Sequence, residues 1–368
     1  MNAFSVKKAA AAWVMQVAAG EPWFQGAYFA GSIIGMPDQA ELSESSDVDL
    51  VVVMDLAEPP IKLGKFIFQG ALLEITYLSL NQLSSAEEIL TSYHLAGSFR
   101  VDTIIADPSG HLRHIQTQVS RHFAEYSYVY RRCKQVLDRI DQGLTGLDTQ
   151  IPYYDLVTSW LFPTGVTTHL FLVAALKNPT VRRRYRAARE VLVDYGYEPV
   201  YEKLLEWLGC QDLASQRIEK HLSRLEQTFD AAAAVAKTPF PFSSDISEQA
   251  RPIALDGSRE LIHGGYHRES VFWIIATFAR CHKILAADAP ADLQNRLLPD
   301  FQAAVTDLGL VSGSDFLSRA QDVRQALPQL WQTTLDILQR NPDIHADSSG
   351  TQAASSCNEA CSERGTRR

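Results

Sequence analysis

The feature that most constrains this chain is Ser46-Asp47-Val48-Asp49-Leu50-Val51-Val52-Val53, with Gly31-Ser32 ahead of it. Two carboxylates, two residues apart, run straight into a β-branched apolar segment. Such a run predicts a strand from Asp47 to Asp55 that is buried on both faces. Positions i and i+2 of a strand point to the same side. Asp47 and Asp49 therefore project together from the start of that strand. Two adjacent like charges are costly unless something positive lies between them. A divalent cation with oxygen ligands answers that need, and magnesium bound this way usually also holds a substrate phosphate. Gly31-Ser32 closes an earlier strand, Gln25 to Ala30, and opens a turn whose backbone N–H groups can face phosphate oxygens.

Two more strands are expected around Gly70, over Lys65 to Gln69 and Ala71 to Leu80. Glu74 interrupts the otherwise apolar run of the second. A carboxylate inside a central strand is expensive to bury unpaired, so Glu74 is expected to share the cation or to meet a reacting hydroxyl.

A Gly-Ser pair, a spacer, Asp-x-Asp entering an apolar strand and an acid on the next strand together resemble the polymerase-beta-type nucleotidyltransferase superfamily. Within it, the antibiotic (aminoglycoside-type) nucleotidyltransferases look most similar. The resemblance covers roughly residues 25–110. It implies magnesium-dependent transfer of a nucleoside monophosphate from a nucleoside triphosphate, with ATP expected, to an acceptor hydroxyl. An aminoglycoside-like small molecule is the acceptor it suggests. It also implies Asp47 and Asp49 as magnesium ligands, Glu74 as third ligand or general base, and Gly31 and Ser32 at the phosphates. Lys134, beside Arg131 and Arg132, is carried over as a contact to the triphosphate. Glu125 and Asp155 stand as alternative bases. The spacer departs from the family pattern: fourteen residues separate Ser32 from Asp47, they include Glu41 and Glu44, and none is basic. Related enzymes sometimes build the site across a dimer, so a homodimer is expected. A reading from another class stays open: a non-catalytic or protein-modifying member of the fold, acting as a regulatory or toxin–antitoxin-type binding protein.

Composition narrows the partners. The net charge of -9 argues against a dedicated nucleic-acid binder. The five cysteines are odd in number and scattered, which is no disulfide framework and points to a reducing, cytoplasmic setting. No apolar run is expected to cross a bilayer.

Elsewhere the Ala-rich stretch 4–19 reads as a helix ended by Gly20-Glu21-Pro22, and 81–97 as another. Val101 to Ala106 reads as a short strand closed by Asp107-Pro108-Ser109-Gly110. After Gly110 helical periodicity dominates, over 111–142, 155–176, 181–195, 201–208, 213–236, 269–286, 291–308 and 313–339. Breaks are expected at Gly143, Pro152, Pro163, Pro179, Pro199, the Pro239–Pro241 pair and Pro290. The expected class is α+β: a small mixed-sheet domain over 1–110 with helices on one side, an all-helical domain over 111–340, and a disordered tail over 341–368. The active site should lie in the cleft between the two domains. The run Arg182-Arg183-Arg184 with Arg186 and Arg189 reads as a solvated helix face or partner contact. His263 and His267 flank Gly264-Gly265 in a loop, which argues against a metal pair. Tyr153, Tyr154, Trp160 and Phe162 suit either a cleft wall or the core.

Overall fold

The computed structural model describes residues 1–43 and 45–348. Helix α1 (Ala3–Trp13) starts where the Asn2 side chain accepts the Ser5 N–H, and continues into a π-helical turn, Val14–Ala18. Strand β1 (Phe24–Phe29) leads to a 3-10 turn, Gly31–Ile33. Strands β2 (Val48–Met54), β3 (Gly64–Phe68) and β4 (Ala71–Ser79) follow. Then come α2 (Ala86–Thr91), α3 (Ala96–Phe99), β5 (Ile104–Ala106) and α4 (His111–His122). The stretch 81–97, expected as one helix, is broken because Ser85 caps α2 and Ser92 ends it in extended backbone. The five strands form one mixed sheet in the order β3-β4-β2-β1-β5, with β2 and β4 parallel and the other pairs antiparallel.

Alternation along β2 decides how the sheet is covered. Val48, Leu50 and Val52 pack with Ala71, Leu73 and Ile75 under α1. Val53 packs in a second apolar layer with Tyr28, Leu90, Phe99, Leu112 and Ile115, from the strands and helices α2–α4. Helices thus lie on both faces, and the one-sided arrangement expected from sequence is corrected. A strand apolar on both sides needs cover on both.

The remainder is helical: α5 (Tyr126–Thr145), α6 (Tyr153–Ala174), α7 (Arg184–Asp194), α8 (Glu198–Leu208), α9 (Ser215–Val235), α10 (Gly257–His263), α11 (His267–Asp288), α12 (Ala291–Thr306) and α13 (Gly313–Arg340). The expected helix 111–142 is split into α4 and α5. Buried Arg132 ties that junction, donating to the carbonyls of Leu90 and Phe123 at 2.8 and 2.6 Å. Gly143 and Pro163, expected as breaks, sit inside α5 and α6. They face each other closely, since a Cβ on Gly143 would lie 2.6 Å from Pro163 Cγ. Helices α6 and α11 are each 22 residues and apolar enough to span a bilayer, contrary to expectation, but 78% of each apolar window is buried inside the protein. They are core helices. Residues 341–344 continue the packing, with Asn341 Nδ2 donating to Ala174 O at 3.1 Å, and His345 forms a bridge with Glu125. The rest of the expected disordered tail, 349–368 with Cys357 and Cys361, lies outside the described residues.

Candidate active site

The parallel β2–β4 register sets Asp49 directly beside Glu74. Asp47 precedes β2 by one residue on the same side. One carboxylate oxygen from each of the three lies within 4.8 Å of the others, a donor set that suits a hard cation. Gly31 closes the site from behind. Its φ is +67°, and a Cβ there would fall 1.8 Å from Asp49 Oδ2. Only glycine lets the turn lie against that carboxylate. The Ala30 N–H donates to Asp49 O at 2.9 Å and ties the turn to β2.

Cations hold the rest of the cluster. The β3–β4 hairpin pairs Lys65 with Glu74. The Lys65 ammonium lies 2.8 Å from Glu74 Oε1, 2.9 Å from Asp47 Oδ2 and 3.2 Å from Asp245 Oδ1, with a side chain only 4% exposed. Lys62 reaches Glu74 at 2.5 Å and Asp245 at 3.4 Å. Asp245 belongs to a 3-10 turn, Ser243–Asp245, and also pairs with Arg280 of α11 at 2.9 Å. Burial acts to lower the proton affinity of Lys65, but the charges of Asp47, Asp245 and Glu74 outweigh it and fix the ammonium form. Burial raises Glu74 and Asp245, yet their cationic neighbours leave both below the usual carboxylate range. Asp49 goes the other way. Burial first, then the charges of Asp47 and Glu74, push it well above that range. Among the described residues no cationic side chain pairs with it. A carboxylate so placed asks for a metal ion or a proton.

These groups open onto a cavity of about 530 Å³ between the sheet and the helical part. The opposite wall carries Asn178, Arg182, Arg183, Trp273 and Arg280. Asn178 Nδ2 donates to Gly31 O at 3.1 Å. Ser45 Oγ donates to Glu260 of α10 at 2.9 Å, latching the long spacer. Arg182 Nη2 donates to Ser45 O at 3.1 Å, whereas its Nη1 is buried with no hydrogen-bond partner among the described residues. Its guanidinium fills the place of an absent side chain, for a Cβ on Gly257 would fall 1.4 Å from Nη1. The solvated-face reading of this arginine run is therefore corrected for Arg182 and Arg184, while Arg183 and Arg189 are exposed as that reading expects. Arg182 and Arg183 line the cavity, and buried Arg184 stacks 4.0 Å over the Phe272 ring.

Gly31, Ser32, Asp47, Asp49 and Glu74 all reach the cavity. Lys134 does not. It sits on the exposed side of α5, 2.6 Å from Asp138 one turn on, in a separate groove with Tyr93 and Arg139. Its expected triphosphate contact is corrected: helix spacing gives it a local partner instead. Glu125 pairs with His122 and Asp155 with Lys283, both away from the cavity. His263 ends α10 and His267 begins α11, as a loop between helices requires. Trp160 is core. Sequence reasoning missed Lys62, Lys65, Asp245, Arg280, Asn178, Arg182 and Gly257. Of these, Lys65 had a signal: a two-residue turn at Gln69-Gly70, both at positive φ, fixes Lys65 opposite Glu74.

Among the solved structures similar to this chain is a nucleotidyltransferase-like protein from Exiguobacterium sibiricum, with a TM-score of 0.29 and 18% identity, over 70% of this chain and 91% of that one. No protein-family profile matches the chain, and no curated protein does.

Proposed function

We propose that the protein is a cytoplasmic, magnesium-dependent nucleotidyltransferase that moves a nucleoside monophosphate from a nucleoside triphosphate, ATP in the first instance, to a hydroxyl of a small acceptor. The observation that carries this reading is Asp49: a half-buried carboxylate with no cationic side chain paired to it among the described residues, flanked by Asp47 and Glu74 within 4.8 Å and backed by a glycine that both its positive φ and this contact require. Magnesium held by the three would neutralise phosphate charge, which is most of what phosphoryl transfer needs. The low proton affinity of Glu74 suits a ligand better than a general base. Arg182, with a buried N–H lacking an acceptor, and Lys62 suit the phosphate oxygens. They supply the positive charge that the spacer after Ser32 lacks. The acceptor hydroxyl gives up its proton to solvent as its oxygen bonds to the α-phosphorus, the bond from that phosphorus to the α,β-bridging oxygen breaks, and pyrophosphate leaves with that electron pair.

The cavity also bears on the acceptor. Its carboxylates are Asp47, Asp49, Glu74 and Asp245, and all but the orphan Asp49 already face lysine or arginine. With Asp49 taken by magnesium, a polyamino sugar finds no unpaired carboxylate there. Trp273, Ile253 and Val181 offer an apolar wall instead, so we favour an acceptor without multiple positive charges. The test is incubation with α-labelled ATP, magnesium and a panel of neutral, anionic and polyamino hydroxyl compounds. Label should appear in an uncharged or anionic small molecule and fall at least about a hundredfold in Asp47→Asn and Asp49→Asn. Label on protein alone would point to the protein-modifying alternative. No label, with nucleotide binding equal in wild type and both variants, would leave a non-catalytic binding protein.

A further inference from the structure

We propose that Lys65 is a built-in second cation, so that the site takes one divalent ion rather than two. This rests on the nucleotidyltransferase reading above. Phosphoryl-transfer sites commonly hold two metal ions about 3.5–4 Å apart between shared carboxylates. Here a lysine ammonium already lies 2.8 and 2.9 Å from two of the three candidate ligands, and 3.2 Å from Asp245. Lys65 is not a surface side chain that has drifted inward. Strand pairing sets it opposite Glu74, as the neighbouring strand sets Asp49 beside Glu74, giving one row of three residues across β2, β4 and β3. Its side chain is 4% exposed, against 20% for Lys62, which precedes the strand. The ammonium uses one oxygen of Asp47 and one of Glu74. The other oxygen of each, together with Asp49, remains for a single ion. A second ion bridging the same acids would have to expel a strand-anchored lysine and leave that charge buried without partners, which is strongly unfavourable.

The count of bound ions tests this. Free Mn²⁺ would be measured by electron paramagnetic resonance as the metal is titrated into the full chain. One arm would be metal alone; the other would add a nucleoside triphosphate carrying a methylene at the α,β bridge. Wild type and Lys65→Arg should each take one Mn²⁺ per chain in both arms. Lys65→Met, which keeps length and loses charge, should rise from one to two with nucleotide present. Two ions in wild type would overturn the proposal, and that measurement stands even where Lys65→Met does not fold. One ion at unchanged affinity in folded Lys65→Met would overturn it as well. Both results leave the nucleotidyltransferase reading intact. No Mn²⁺ bound by any of the three proteins would remove the proposal and that reading together.

Discussion

Gly31 shows how much a single position can carry. Its left-handed backbone costs a residue with a side chain about 1–2 kcal/mol. The larger effect is steric, since the new methyl would occupy the place of Asp49 Oδ2. Gly31→Ala is therefore expected to fold, with a melting temperature lower by about 2–8 °C. Its affinity for metal and nucleotide should drop at least about tenfold, equal to 1.4 kcal/mol. Calorimetric melting and a Mn²⁺ titration would separate the two effects. A variant with wild-type metal affinity would mean that the glycine serves the turn alone.

At the scale of elements, what was legible in sequence was local. The apolar run after Asp47 gave β2, and the break at Gly70 gave the β3–β4 hairpin; strand pairing then put Glu74 where the acids meet. Helix edges set by Pro152, Pro199 and Pro290 were also readable, since each proline stands at or beside a helix start. Tertiary pairing was not readable. Asp245 meets Lys62 from 183 residues away, and Arg182 meets Ser45 from 137. Neither periodicity nor capping encodes such meetings, so the inward-facing Arg182 and Arg184 looked as solvated as their exposed neighbours Arg183 and Arg189. Helix α10 carries a test of this kind of contact. Gly257 has ordinary helical angles, φ -63° and ψ -28°. Alanine should suit that backbone and even favour helix by about 1 kcal/mol, yet its methyl would displace the Arg182 guanidinium. Gly257→Ala is expected to melt no lower than wild type while binding nucleotide about tenfold more weakly. Combined with Arg182→Ala, it should add almost nothing further, as coupled sites do. Additive losses in that double-mutant cycle would refute the spacing role.

Across the whole molecule, pH acts through the helical core that backs the cavity wall. His169 of α6 is buried, its Nε2 bonded to Thr180 O at 3.0 Å and its Nδ1 without a partner among the described residues. Burial, with the charge of Arg184, pulls its pKa down to about 3, and burial alone brings His282 to about 4. Both values lie below the roughly 6.5 of an unfolded histidine. Between those limits the unfolded chain binds protons that the folded one does not. Stability is thus full above about pH 6.5 and declines as pH falls, by up to about 1.4 kcal/mol per pH unit for each histidine. Denaturant titrations from pH 7 to 5 should show that slope, and His169→Gln should lessen it. An unchanged slope would exclude His169 as a contributor. The charge cluster carries a consequence of another kind. As the chain leaves the ribosome, the hairpin emerges long before Asp245 and Arg280 are made. Lys62 and Lys65 arrive in the same stretch as Asp47, Asp49 and Glu74, so the nascent sheet brings its own neutralising partners and can close early while the helices are still being translated.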